Sequence, residues 1–580
     1  MVINSDRKGL QNIHTRHKKN IRKPLNLSGI PVIYYGYITY TQKDGIVMFP
    51  RMHENSYFYV LLSTKINPVF MLRNTIHHLE IAKNSSHSFY KISKQYDDQT
   101  KTHFWNVEKQ TFPADGHIPL ETITIFMEPE NFYLPEGISI TNDNAQAILP
   151  VILRHIVLDP KKITVLERDN HRQLFIKRHG GSGVHYVRQE INVGNYKKEL
   201  KKYVGEGDLI INASLNIDAR ALLEWCAENG VMEIDTSLER WEHHPDETIP
   251  KLSDRTLYHT HNVIREAMRE YPGAATLCVT HGANPGYVTH LTKRALLKLA
   301  KKRGRDDKAP TDKEGWAQLM KSLGVKVVHI AERDQQVISA PKTKDEFVNT
   351  WSCEGFWAEG RAPAEMGWGT HENKRPDGGS VQGWAAFLHQ PGATVMMKSW
   401  VPDGGQYNGY CIQHSESITI SQYFETKDKS FRPTVHYVYQ ACDAALASLH
   451  EMRGNELDLQ KEQRIAKDEI TSGMDELGVL LIGDDFCMWH GSQLDIHAAR
   501  KLMEGENATS LQVAGSMLGA IVWMIKNPRA GYVEPESLPF EEIMEIGDMY
   551  WDPLVTVHAN WIPNEDKNSL FYRPYDKSNP

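Results

Sequence analysis

The sequence predicts an α/β protein built on a doubly wound parallel sheet, with a second α+β domain after it and a small β-rich domain before it. Three observations predict this. Between about residues 137 and 290, apolar strand-like runs alternate with helix-like runs over short connections, the pattern of βαβ units. At Cys278–His290 the run CVTHGANPGYVTH carries an apolar strand through a turn directly into a helix. Upstream of residue 137 the runs are short and β-rich, and Asp, Gly, Asn and Pro separate them.

Residues 1–28 are basic (Arg16, His17, Lys18, Lys19, Arg22, Lys23) and hold no apolar segment, so they read as a flexible tail and not as a secretory signal. Residues 29–136 contain VIYYGYITY, GIVMFP, YFYVLL, VFML, HHLEIA and ITIFM, a β-rich domain whose histidines (His53, His77, His78, His87) are dispersed. Residues 137–290 supply the parallel sheet. LPVILRHI reads as helix, KKITVLERD as strand, HRQLFIKRHG as helix, VHYVRQEI as strand and NYKKELKKYV as helix. DLIINAS (strand), DARALLEWCAENG (helix) and VMEIDTS (strand) follow, and the long helix LYHTHNVIREAMREY leads into AATLCVT. Pro285 suits the first position of the next helix, where its missing N–H would be unpaired anyway. Residues 291–495 mix Gly-, Pro- and Trp-rich loops with strands and helices and read as the α+β domain. Residues 496–580 read as a C-terminal helical region and tail. Within them SLQVAGSMLGAIVWMI is apolar on nearly all sides and predicts a buried helix.

Composition narrows the function. A 580-residue chain with 40% hydrophobic and 24% charged residues is an ordinary globular protein. A formal charge of −7 argues against a nucleic-acid partner and favours cationic ligands. No apolar run reaches the roughly 18 residues of a membrane span. The six cysteines form no CxxC pair, so neither a disulfide framework nor a metal site is expected, and the cytoplasm is the natural compartment.

In such a sheet ligands bind outside the carboxyl ends of the strands. Glu167, in VLERD at the end of the second strand, is placed to accept ribose hydroxyls. The glycine-rich turn that should accompany it is missing. GISITNDNAQAILP (137–150) has no glycine near Ile140, Asn142 or Ala145, where G-x-G-x-x-G would need them. Asn142 keeps a Cβ in space a phosphate would fill, and Asp143 adds like charge there. Asn284 lies where strand becomes helix. Glu239 sits in DTSLERW, Glu332 follows the strand VKVVHIA, and Trp351, Glu354, Trp357 and Glu359 are interleaved in what reads as a loop-rich block, FVNTWSCEGFWAEG. Carboxylates with indoles suit a ligand carrying ammonium groups, because an indole face attracts a cation by about 0.5–2 kcal/mol. Core tryptophans and solvated glutamates also account for the same block. His414 and the pair Asp475-Glu476 are candidates for proton transfer or charge pairing.

The blocks HGANPG, DTSLERW, HIAERDQQ, FVNTWSCEGF, EMGWGTHE, FRPTVHYVY, DEITSGMDELGVLL and HGSQL, in order and nearly without gaps from about Gln146 onward, resemble the bacterial homospermidine synthases of the saccharopine dehydrogenase-like group. The resemblance implies a Rossmann-type NAD-binding domain and an inserted substrate domain that also dimerises. It implies conversion of two putrescine into homospermidine and ammonia, with NAD as a recycled hydride carrier. Glu332, Glu239 and Glu359 would hold ammonium groups, Trp351 would supply the cation–π face and Asn284 would orient the reacting amine. His414 and Asp475 would complete the pocket. On the cofactor side it implies Glu167, Asn212, Ser214, Asp235, Thr236, Gly282 and Ala283. The partners it implies are diamines, putrescine first and spermidine second, and a second copy in a homodimer, with no nucleic acid and no membrane. Two alternatives stand beside this reading. One is an NAD(P)-dependent reductase of carboxylated polyamines or saccharopine-like substrates, which would need fixed cations such as Arg333 or Arg361 for the carboxylate. The other is a pseudoenzyme or binding protein that kept the fold without the glycine turn.

Overall fold

The computed structural model describes residues 145–561 apart from 157, 169–181, 242–250 and 306–307, together with 138–141, 571–572 and seven strands between residues 39 and 126. The chain forms two compact units, residues 1–133 and 134–580. In the first, the strands Tyr57–Leu62, His78–Lys83, Ser88–Asp97, Thr102–Thr111 and Leu120–Phe126 make one sheet in chain order, antiparallel except for its first pair. The tail at 1–28, the segment HRQLFIKRHG expected as a helix, and the turn residues Asn142 and Asp143 lie outside the described residues.

The second unit begins with the strand that the missing glycine turn left in question. β1 (Ile138–Thr141) is formed and central. With β2 (Ile163–Glu167), β3 (His185–Arg188), β4 (Leu209–Asn212), β5 (Met232–Asp235) and β6 (Leu277–Cys278) it makes a parallel sheet in the order β3-β2-β1-β4-β5-β6. That is the Rossmann order, and the strand sequence reverses between β1 and β4. Ile140 pairs with Val165 and Ile211 inside the sheet, so the first of the expected fingerprint positions falls in the strand and not in the turn.

Alternation along each strand covers both faces. Leu209 and Ile211 join the core under α1 (Ala145–His155), whereas Ile210 joins the core under α2 (Ala219–Asn229) and α3 (Leu257–Met268). Burial on both sides is why these strands read as continuous apolar runs. The helices have their punctuation in the sequence: Asp218 caps α2 by accepting from Ala221 N–H, and Gly230 ends it at φ 67°.

Three local expectations are corrected. Helix α4 (Tyr287–Lys302) begins two residues after Pro285, with Gly286 at its N-cap at φ 120°, a conformation only glycine adopts freely. A Cβ on Gly286 would lie 2.5 Å from the Gly282 carbonyl oxygen, so the 282–286 turn is too tight for one. Glu332 lies within a strand, β7 (Val327–Asp334), and not after it. The block carrying Glu354, Trp357 and Glu359 is a helix, α5 (Cys353–Arg361), capped by Ser352, which accepts from Gly355 N–H. Interleaved bulky and acidic residues there follow the helical period rather than a loop.

β7 sits in an eleven-stranded sheet, parallel to β8 (Thr434–Gln440) and antiparallel to β9 (Met474–Ile482), which pairs with β10 (Cys487–Asp495). Val328 and Ile330 belong to the same core cluster as α4, and Val327 and Ala331 belong to a separate cluster on the other face. The even-numbered positions of β7 therefore look toward α4. The final segment, expected as a helical region and tail, also completes both sheets: Tyr532–Val533 pairs with β6 and Leu554–Ala559 pairs with β10. Helix α6 (Ala508–Lys526) is long and apolar enough to cross a membrane, but 83% of its apolar window is buried inside the protein, as the buried-helix reading expects.

Candidate active site

The site forms where the even face of β7 meets the turn that opens α4. Glu332 is buried and its carboxylate accepts hydrogen bonds from the Asn284 amide and the Tyr437 hydroxyl, each at 2.7 Å. Tyr437, on β8, pairs with Ile330 of β7 and so shares that face. Burial raises the Glu332 carboxyl to about 7, and the hydrogen bonds from Tyr437 and Asn284 limit the rise.

His414 stacks on Tyr437 with ring centroids 4.0 Å apart. Its Nε2 is 3.1 Å from Glu359 of α5, and its Nδ1 is 3.2 Å from Glu416. The Glu359 contact is a charge contact without good hydrogen-bond direction. Burial alone would lower the imidazole, but Glu359 and Glu416 outweigh it and hold His414 well above its ordinary value. Glu239 completes the acidic wall. It accepts from the Ser237 hydroxyl at 2.9 Å, and burial, with Glu359 and Glu354 nearby, raises its carboxyl. Trp351 is half-buried, donates Nε1–H to the Tyr439 hydroxyl at 3.1 Å, and lies tilted against Phe356. Tyr439 is the strand partner of Glu332. Asp475, on β9, faces Asp334 across the strand pair; both are buried. Burial raises both, and Thr509 and Thr350 donate to them at 2.7 Å. Like charges directly opposed on adjacent strands are destabilising, so the pair favours holding a proton.

The cofactor-side candidates fall at the carboxyl ends of the parallel strands. Glu167 and Ser214 line a crevice of about 660 Å³, open to solvent, that also involves Arg168, Gln189 to Val193, Asn216 and Trp241. Asn212 accepts from the N–H and the hydroxyl of Ser214, which fixes the end of β4. Asp235 is buried and accepts from Thr280 N–H, so its carboxylate holds the turn. Thr236 lies against Gly282, and Ala283 is buried beneath Asn284's turn. An acid, small polar side chains and a close-approaching backbone turn fit a dinucleotide.

Asn284, Glu332, His414, Glu359 and Trp351 are linked through Tyr437, Tyr439 and direct contacts, whereas Glu239 and Asp475 are linked to them through charge alone. Asp334, Glu416, Tyr437 and Tyr439 join them without having been singled out. Strand alternation in AERD would have placed Asp334 on the face of Glu332, but nothing local in FRPTVHYVY tells which strand its tyrosines pair with. Arg333 lies on the opposite face of β7, beside Gly404, and Arg361 stacks over Trp357 at 4.8 Å.

Residues 144–279 match the saccharopine dehydrogenase NADP binding domain, and residues 282–556 match the saccharopine dehydrogenase C-terminal domain. Fold and site define a dinucleotide-dependent enzyme of the saccharopine dehydrogenase-like class. The chain is 38% identical over 445 residues to homospermidine synthase of Blastochloris viridis, covering 74% of this chain and 92% of that protein. It is equally similar to the enzyme of Mesorhizobium japonicum, over 448 residues. The crystal structure of homospermidine synthase from Legionella pneumophila in complex with NAD superposes with a TM-score of 0.69 at 34% identity, covering 77% of this chain and 96% of that one. The chain belongs to the homospermidine synthase family.

Proposed function

We infer that this protein condenses two putrescine into homospermidine and ammonia, with NAD as a hydride carrier restored in each turnover. The observation that carries this reading is the Asn284–Glu332 hydrogen bond at the carboxyl end of the parallel sheet, inside a wall of Glu239, Glu359 and Asp475. NAD, held by Glu167, Ser214 and the Gly282–Ala283 turn, supplies the hydride acceptor and donor. The chain supplies the rest. Glu332 and Asn284 hold the reacting amine: the amide donates its N–H to Glu332, and its oxygen is oriented to accept from the amine. The Glu332 carboxyl, titrating near neutrality, takes and returns the amine's proton. His414, clamped between Glu359 and Glu416, keeps its charge and fixes Glu359 toward the far ammonium group. The tyrosines of β8 and the indole of Trp351 exclude water from between these groups and strengthen each charge contact.

Incubation with putrescine and NAD⁺ is expected to release ammonia and homospermidine in equal amounts without build-up of NADH. Steady NADH production would overturn the reading in favour of a simple dehydrogenase. The absence of glycine between residues 137 and 150 favours one other reading, a binding protein without turnover. Absence of bound nucleotide after denaturation, with no thermal shift on NAD addition, would support it. The same family resemblance supports a homodimer, which sedimentation equilibrium tests.

A further inference from the structure

We propose that Glu354, on the substrate-side helix α5, sets the choice between NAD and NADP by holding the Arg168 guanidinium away from the 2′-phosphate position. This rests on the dinucleotide reading above. The matched domain is described as NADP-binding and the solved relative is in complex with NAD, so the preference of this chain has to come from its own residues. In a Rossmann sheet an acid at the end of the second strand accepts the ribose hydroxyls, and a nearby arginine accommodates a 2′-phosphate. This chain carries both, side by side. Glu167 ends β2 and is buried; Arg168 follows it, and both line the same crevice.

The arginine is already engaged. Its Nη2 lies 3.7 Å from Glu354 Oε1, and the two side chains are 43% and 31% exposed. Its carbonyl accepts from Arg188 Nε at 3.2 Å, and Arg188 is the strand partner of Glu167, so the backbone at this point is fixed. Glu354 acts twice. It draws the guanidinium toward α5, and it adds a negative charge beside the place where a doubly charged phosphate would sit. Glu354 is thus a positioning residue for Arg168, set in the helix that also carries Glu359.

The test is equilibrium binding of NAD and NADP to the full chain, without diamine, followed by tryptophan fluorescence and calorimetry. In Glu354→Gln, NADP binding is expected to tighten about three- to fivefold while NAD binding changes less than about 1.5-fold, since a guanidinium no longer drawn to Glu354 meets a phosphate through charge-assisted hydrogen bonds. Arg168→Ala combined with Glu354→Gln is expected to lose the gain, which separates the guanidinium from simple removal of a negative charge. A Glu354→Gln protein that binds NAD normally with an unchanged NADP to NAD ratio overturns the proposal. So does a gain that survives in the double variant. A wild-type chain that binds neither dinucleotide overturns the underlying cofactor reading instead.

Discussion

Asn284, in the turn that follows the last strand of the parallel sheet, and Glu332, in a strand of the second sheet, are 48 residues apart in sequence, yet the amide nitrogen of one lies 2.7 Å from a carboxylate oxygen of the other. The contact joins the turn opening α4 to the acidic face of β7. In the proposed reaction it would offer the amine a donor-acceptor pair instead of a lone charge.

Glu332→Gln tests the charge apart from the shape. The amide oxygen of glutamine still accepts from Asn284 and Tyr437, so the fold is expected to hold. Loss of a hydrogen bond to a charged group costs about 1.5–3 kcal/mol, and KM for putrescine is expected to rise roughly 10- to 100-fold. Steady-state kinetics on a variant of normal melting temperature decides it, and an unchanged KM would remove Glu332 from ammonium binding.

The same carboxyl predicts a pH signature. Burial raises it to about 7, so the folded state favours the protonated form. Its contribution to stability is fully present below the ordinary carboxyl value of 4.5 and is lost as pH rises through about 7. Ammonium binding has the opposite preference, because it needs the ionised form. Thermal stabilisation by putrescine should therefore be larger at pH 8 than at pH 6, and Glu332→Gln should flatten that difference. Equal stabilisation at both pH values in the wild type would contradict the assignment.

Trp351 separates packing from cation–π attraction. Trp351→Phe keeps a weaker ring face but loses the N–H donated to Tyr439, so part of the activity should remain. Trp351→Ala leaves no face and opens the pocket wall, so most turnover should be lost. Turnover is measured well below the melting temperature of each variant. Full activity in a folded Trp351→Ala protein would reduce Trp351 to a packing element.

Glu233 predicts a gain. It is fully buried on β5, neither carboxylate oxygen has a hydrogen-bond partner among the described residues, and burial, with Asp235 nearby, raises it well above its usual value. The cost of its ionisation is absent below about pH 4.5 and grows as pH rises toward the folded value. Glu233→Met should raise the melting temperature by a few degrees at pH 8 and by less at pH 5. Calorimetry at the two pH values checks this, and a lower melting temperature at pH 8 would show that Glu233 has a role in holding β5.

Much of this was legible in the chain. Continuous apolar runs such as DLIINAS and VMEIDTS announced strands buried on both faces, because a doubly wound sheet leaves no polar face. The ordered blocks carried the family resemblance. The sequence could not place Pro285 outside the helix, since the close approach of Gly286 to Gly282 is a contact between backbones. It could not show that α5 is a helix carrying Glu354 and Glu359 toward one site, because its bulky and acidic residues fit a loop as well.

The sequence by itself determined which residues bear charge and which apolar segments form the parallel sheet. Those are local properties, written in period and composition. Only the tertiary structure decided that Glu332 meets Asn284, that Tyr437 and His414 stack above it, and that Arg168 reaches Glu354. Each of these depends on which strands pair and at what register, and a register of period two sends a side chain to one face or the other with a shift of one residue. Long-range pairing is set by the packing of the whole sheet, and no single segment carries that information.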